Sequence, residues 1–465
     1  MNEMNKDTKM VELAVGLDFD QNIDVLIAEL SEILKNKNAQ IITKEVNDET
    51  VVTCIYKDQI RTFEDLNLVL EFNFTKDIFK SMKVSVAHHQ INENDLELYI
   101  YKNIQIKLLN SVYKENSSKY TVRVYKCIFN KTTIKGVYTI NWGNKIQMFP
   151  LMDFEKDESF SEHIIVFDVE VRAVNLDQAR SMAYNIVSDF TAFLSLLIDV
   201  GFQDLRSKYM NFLMKDNFGR LQASRYRTGA YDKELGLYIK DNFYGITPED
   251  KPGYDYGPIY LLAEETKAKA KVTYQLDSDA FLEDKFKNRE IKKKSTMKNE
   301  YLEGSFAEIH NPYNSIKVPR KIREYFREIK QLEEKNVNKY EFFRNASRIY
   351  ALAKNIEQFN ETSAISYMVA SVEALGKSEK MSFSEICRKY LGEDVDLKFL
   401  DYLYGNVRSG HFHSGEFAFL EYEVNFNRSM DSLYTNLIRK NRQAKKSLRK
   451  VLVSWIEDNL NMRYH

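Results

Sequence analysis

From Tyr404 to Gly415 the chain sets a fixed cation, Arg408, beside two imidazoles, His411 and His413, among glycines. Histidine moves protons near neutral pH, and arginine's planar fork holds phosphate oxygens while staying charged. The pairing suits RNA, which carries its own nucleophile in the 2′-hydroxyl beside each phosphodiester. A protein need only set the strand in line, move two protons and stabilise the crowded phosphorane. The products would be a 2′,3′-cyclic phosphate and a 5′-hydroxyl. No metal or other cofactor is called for, and DNA would be inert.

The spacing leaves open which histidine works. Arg408 and His413 have four residues between them, an offset of roughly 140° on an ideal α-helix. His411, three residues from Arg408, would share its face. Gly410 and Gly415 allow the backbone to leave helical geometry, so the first pairing is not excluded. One arginine and one histidine make a thin site for a single chain. Two copies across a twofold axis would supply two of each, so a homodimer formed through the surrounding helices belongs to the expectation.

The elements that must position these residues follow from periodicity. Apolar residues at helical spacing, Ile23 to Leu34, predict a helix over about 21–36. Leu66, Leu68, Leu70, Phe72 and Phe74 alternate with polar residues, the period of a strand with one face buried. Further strands are expected at Val51–Tyr56, Leu96–Tyr101, Ile104–Leu108, Tyr120–Ile128, Lys135–Asn141 and Phe167–Ala173, in a mainly antiparallel sheet. An apolar helix from Leu176 to Leu197 packs on that sheet, so residues 1–202 read as one α+β sensor or regulatory domain. His88 and His89 are adjacent on a strand-like run and would point to opposite faces, a poor joint metal site.

Residues 203–319 change texture, with five of the six prolines here or at the border and many tyrosines. This stretch reads as an irregular linker or subdomain. Its basic run includes Lys292, Lys293 and Lys294, which would either track an RNA backbone or form a solvated charged face. From 320 to 465 the chain reads as an all-α bundle. One stripe runs from Tyr340 to Ile356. A second, Ile365 to Leu375, closes at Gly376 as a helix-ending glycine. Short helices over about 384–391 and 397–407 lead into the arginine–histidine segment. A long final helix carries Phe426, Met430, Leu433, Leu437, Ala444, Leu448, Val451 and Trp455.

Composition sets outer bounds. Hydrophobic content of 44% and charged content of 29% are those of a globular chain. The net charge of -1 leaves nucleic-acid binding to local patches. Cys54, Cys127 and Cys387 lack metal-ligand spacing and suit a reducing cytoplasm, and the polar start of the chain offers no signal core.

The run Tyr404-Gly405-Asn406-Val407-Arg408-Ser409-Gly410-His411-Phe412-His413-Ser414-Gly415, with the helix Ala364–Leu375 before it, resembles a HEPN domain of the Apea-like branch over about 330–465. That family's signature is an arginine, four to six residues, then a histidine, a spacing Arg408 and His413 meet and His411 does not. The resemblance implies a metal-independent endoribonuclease acting as a homodimer, commonly in antiphage defence, abortive infection, toxin–antitoxin or RNA-processing systems. It assigns Arg408 to the scissile phosphate and His413 to proton transfer. Ser409 stands where the family often has asparagine and can still donate a hydrogen bond. His411 becomes an orienting or RNA-contacting neighbour, and Glu373 an acidic residue orienting Arg408 or His413, or else a plain helix-surface glutamate. The N-terminal domain would sense a phage-derived trigger or restrain the nuclease. The alternative is a non-catalytic HEPN-like module that binds RNA or nucleotide and mediates assembly.

Overall fold

The structure, a computed structural model, describes residues 9–13, 23–34, 37–46, 49–60, 63–75, 78–86, 91, 93–100, 103–104, 117–130, 133–150, 162–204, 209–215, 218, 221–227, 231–232, 237–238, 272–273, 287–291, 301–302, 316–423, 432–460 and 462. The layout is α+β, with antiparallel sheets in the first half of the chain and helices in the second. The divisions expected at 202 and 319 follow sequence texture. Contacts group the chain into two compact units, Met1–Ser118 with Arg172–Val174, and Lys119–Val171 with Asn175–His465.

In the first unit, β1 (Lys9–Leu13), β2 (Gln40–Val46), β3 (Glu49–Ile60), β4 (Phe63–Thr75) and β5 (Ile78–Val86) form an antiparallel sheet in the order β1-β5-β4-β3-β2. The expected alternation is realised: Leu66, Leu68, Leu70, Phe72 and Phe74 are all buried. They pack with Leu26, Leu30 and Leu34 of α1 (Ile23–Ile33) and its C-terminal end. One expectation fails. Leu96–Tyr101 is not a strand, because Glu93–Ile100 forms helix α2. Leu96, Leu98 and Ile100 alternate, but Leu96, Tyr99 and Ile100 also fall at i, i+3, i+4. It is this second set that is buried, while Leu98 is 44% exposed. Acidic Glu93 and Asp95 in the first turn favour the helix through its dipole. Of Ile104–Leu108 only Ile104 lies within the described residues, as part of the core. His88 and His89 lie outside them.

The second unit has its own sheet. Strands β6 (Ser118–Phe129), β7 (Tyr138–Trp142), β8 (Asn144–Pro150), β9 (Glu162–Ala173) and β10 (Gln203–Asp204) take the order β10-β6-β9-β8-β7. The apolar helix α3 (Leu176–Ile198) packs on this sheet, Phe190 meeting Phe167 edge-on at 6.0 Å. It packs as well on the C-terminal helical group, which comprises α4 (Ile322–Lys335), α5 (Val337–Ile356), α6 (Glu361–Ser378), α7 (Phe383–Leu391) and α9 (Ser432–Asn459). Of these, α4 also reaches the sheet itself, where Arg323 Nε donates to Thr139 O at 3.1 Å. By length and composition α3 could cross a membrane, but its apolar surface serves the interior. Aromatic rings show the continuity: Trp142 meets Phe193 edge-on at 5.6 Å, Phe193 stacks on Phe343 at 5.1 Å, and Phe343 on Trp455 at 5.0 Å. The last carbonyls of α3 receive Arg449, whose guanidinium donates to the oxygens of Leu196 (2.7 Å) and Leu197 (3.0 Å). Burial works against that charge, and Asp199 and the Tyr350 hydroxyl outweigh it, so Arg449 is held all the more firmly protonated.

Within 203–319 the described residues include an antiparallel hairpin, Tyr209–Lys215 with Leu221–Arg227. Lys287–Ile291 is laid along β6, where the Thr121 hydroxyl donates to Arg289 O at 2.9 Å. Lys292, Lys293 and Lys294 lie outside the described residues, as do Phe426 and Met430.

The bundle stripes hold, with two corrections. Gly376 does not end its helix: α6 runs on to Ser378, and Gly376 is there because a Cβ would meet Met381 O at 2.7 Å. Leu433, expected in the last helix's apolar stripe, is 59% exposed; the stripe is buried only from Asn441 and Ala444 onward.

Candidate functional site

The arginine–histidine segment follows a single α-helical turn, α8 (Leu397–Asp401), capped by the Asp396 side chain. The chain then widens into a thirteen-residue π-helix, Tyr402–Ser414, ended by Gly415 in the left-handed region at φ 70°. Local causes of the widening are visible. The Ser366 hydroxyl of α6 lies between Thr362 O at 2.8 Å and Val407 O at 3.1 Å, so its single hydrogen ties α6 to the π-helix only in competition with its own helix. Gly405 and Gly410 weaken the α-helical alternative. At Gly410 a Cβ would meet the Glu416 carboxylate at 3.0 Å.

Widening changes which side chains meet. A π-helix closes i→i+5 hydrogen bonds and takes roughly 4.4 residues per turn, so successive residues are about 82° apart. Arg408 and His413, about 140° apart on an α-helix, are then within about 50°. His411 moves to about 115° from Arg408. By this winding the arginine and the second histidine would fall toward one face and the first histidine away from it.

Each side chain has its own setting. Arg408 Nε lies 3.2 Å from Glu373 Oε2 on α6, an ion pair with side chains 26% and 18% exposed. The pair is a charge contact rather than a straight hydrogen bond, because buried Nε has no aligned acceptor. The guanidinium also rests over the Tyr404 ring at 5.4 Å, and Tyr404 stacks on Phe383. His413 is exposed and has no hydrogen-bond or ion-pair partner among the described residues. Ser409 is half-buried beside Arg408.

His411 is bound on both nitrogens. Its Nδ1 lies 3.0 Å from Glu416 O, and its Nε2 lies 2.8 Å from Ser363 Oγ. A carbonyl can only accept, so Nδ1 carries the hydrogen, and in the neutral ring Nε2 accepts from the serine. That lone pair is spent inside the protein. Close by, Glu421 accepts from the Thr362 backbone N–H and from the Thr362 hydroxyl at 2.9 Å. Thr362, Ser363 and Ser366, all in the first turns of α6, thus hold the π-helix and the turn after it.

The structure brings together Arg408 and Glu373, leaves His413 exposed on the same π-helix, and gives His411 a hydrogen-bond partner on each ring nitrogen. Sequence reasoning missed Ser363, Ser366 and Thr362, which lie more than forty residues away and carry no spacing signal. It also gave no role to Tyr404, although that residue stands four before Arg408. Phe412 is 42% exposed and meets Tyr367 edge-on at 5.2 Å. Among the described residues no group of three or more His, Cys, Asp or Glu side chains is placed to hold a metal. A cavity of about 660 Å³ elsewhere in the unit is lined by Thr139, Asn141, Lys145, Ile291, Arg323, Glu324 and Arg327, well removed in sequence from the π-helix.

Comparison of this chain with models of protein families, with characterised proteins and with solved structures finds no match.

Proposed function

We propose that the protein is a metal-independent endoribonuclease of HEPN type, and one observation carries the reading. The segment is π-helical, a winding that would carry Arg408 and His413 on neighbouring parts of one face; the arginine is steadied by Glu373 and Tyr404, and His413 is exposed, with no partner among the described residues. Arg408 binds the non-bridging oxygens of the scissile phosphate and neutralises the charge that grows in the phosphorane. His413 takes the 2′-hydroxyl proton, or returns one to the 5′-oxygen as it leaves. The bond from the 2′-oxygen to phosphorus forms as that from phosphorus to the 5′-oxygen breaks, giving a cyclic phosphate and a 5′-hydroxyl. Pairing of two chains supplies a second imidazole, so base and acid are separate groups. The cellular setting we propose is cytoplasmic antiphage defence by abortive infection, with the N-terminal half answering a phage-derived trigger or an inhibitory partner.

The test uses purified full-length protein with a labelled structured RNA in excess EDTA, beside Arg408→Ala, His413→Ala and His411→Ala. The proposal expects cleavage in EDTA, loss of it in the first two variants, and in His411→Ala an activity loss matched by loss of thermal stability. Binding without cleavage by wild type would make the protein an RNA-binding assembly module instead. Growth arrest on expression of wild type but not His413→Ala is the companion readout for an enzyme that is restrained when purified.

A further inference from the structure

We infer that the outward face of α9 is an RNA-backbone surface that continues from the candidate site. Between residues 439 and 450 the chain carries seven cations, Arg439, Lys440, Arg442, Lys445, Lys446, Arg449 and Lys450, and no Asp or Glu stands anywhere from 432 to 456. In a chain of net charge -1 that concentration is local. Two of the seven turn inward: Arg449 to the α3 carbonyls, and Lys445 to Glu357 at 2.9 Å and Glu361 at 3.5 Å. The other five are exposed, and none of them has an acidic partner among the described residues.

Four of these five make a stripe. At about 100° per residue, Arg439, Arg442, Lys446 and Lys450 fall within roughly 80° of arc and span about 16 Å of helix. Ala444, Leu448, Val451, Leu452 and Trp455 lie on the opposite side and are buried in the bundle. Like charges at i, i+3, i+7 and i+11 repel one another, so the helix pays for the arrangement in stability unless a polyanion screens it.

A line of cations fits a line of phosphates. An anionic membrane is the other polyanion of this charge. Membrane-surface helices, however, insert an apolar face beneath their basic one, and that face of α9 is already used in the core. Continuity with the site supports RNA. Lys440 Nζ sits 4.4 Å over the ring of Tyr402, the first residue of the π-helix, and Asn441 donates to Glu361 at the start of α6. Naming the polyanion as RNA rests on the nuclease reading; the cationic face does not.

Binding of a fluorescein-labelled single-stranded RNA is measured by anisotropy in the His413→Ala protein, alone and with Arg442→Gln/Lys446→Gln added. The expected result at 150 mM salt is about a tenfold loss of affinity and a salt dependence shallower by about 1.5 in slope, two phosphate contacts having gone. The charge-keeping pair Arg442→Lys/Lys446→Arg should restore both, which separates charge from folding. Unchanged affinity and slope overturn the inference. So does binding to phosphatidylserine vesicles through the same residues without binding to RNA. If the double variant loses RNA but wild type never cleaves it, the nuclease reading fails and this surface stands. If wild type cleaves and the double variant binds normally, the reverse holds.

Discussion

Replacing Glu373 by glutamine tests whether the α6 carboxylate steadies Arg408 for chemistry or merely sits beside it. The substitution keeps size and an acceptor oxygen and removes only the charge. At 3.2 Å and an effective dielectric of about 20 the bare attraction is roughly 5 kcal/mol. Both groups reach solvent, so screening and desolvation cut the net contribution to about 1 kcal/mol. Thermal stability should therefore fall by only a few degrees. Losing about 1 kcal/mol of orientation corresponds to about fivefold in kcat. KM for RNA should stay level or fall, because a negative charge beside the bound phosphate has gone. Arg408→Ala should cost about 10²–10³-fold. The decisive comparison is the double variant, since a carboxylate that acts through Arg408 has nothing to act on once the guanidinium is absent. Glu373→Gln should add nothing further to Arg408→Ala in single-turnover cleavage of labelled RNA. If the two losses instead multiply, Glu373 does not work through Arg408 and the positioning argument is wrong.

Two further outcomes concern the frame. Arg449→Met should destabilise the protein by about 2 kcal/mol or more, because it strands two α3 carbonyls beside a buried apolar side chain, while Asp199 keeps Lys354 and the Tyr350 hydroxyl; the urea midpoint checks this. Burial alone would raise the Glu357 carboxyl, but Lys354 and Lys445 outweigh it and hold it below the ordinary range. A depressed carboxyl stabilises the fold fully above its unfolded value and loses that contribution as pH falls through the folded one. The stability gap between wild type and Glu357→Gln should therefore be widest near neutral pH and shrink from about pH 4.5 downward, followed by melting temperature.

What the sequence made legible was whatever period-two or period-3.6 burial can express. The β4 alternation and the Tyr340–Ala353 stripe were realised because a single buried face dictates both. Leu96–Tyr101 failed because six residues fit both periods, and the neighbouring acidic residues decided the matter. Strand β2, Gln40–Val46, escaped because its described residues are exposed or half-buried and so carry no alternation. The α9 cations were plain in the chain, yet the apolar stripe on the same residues drew the reading toward packing. The π-helix has no sequence period of its own at this length. Gly405 and Gly410 permit it, but the neighbours that touch it from α6, such as the Ser363 hydroxyl on His411, stand more than forty residues away.

That last contact explains why the site depends on α6 rather than on its own motif. A thirteen-residue π-helix forfeits the better backbone geometry of an α-helix at every turn, so neighbouring structure must hold it open. Several holding groups come from one helix: Ser363 on His411, Thr362 on Glu421, and Ser366, whose hydroxyl is shared between Thr362 O and Val407 O. Farther along the same helix, Glu373 reaches Arg408, and at its start Glu361 meets Asn441 and Lys445 of α9. A displacement of α6 along its axis would thus shift the arginine, the face carrying His413 and the basic stripe together. If the proposed pairing depends on the wide turn, relaxing it to α-helical geometry would open the angle between Arg408 and His413 from about 50° to about 140° without breaking a covalent bond. On this argument the Thr362 and Ser363 hydroxyls of α6 would matter to the proposed arginine–histidine pairing although neither touches either residue.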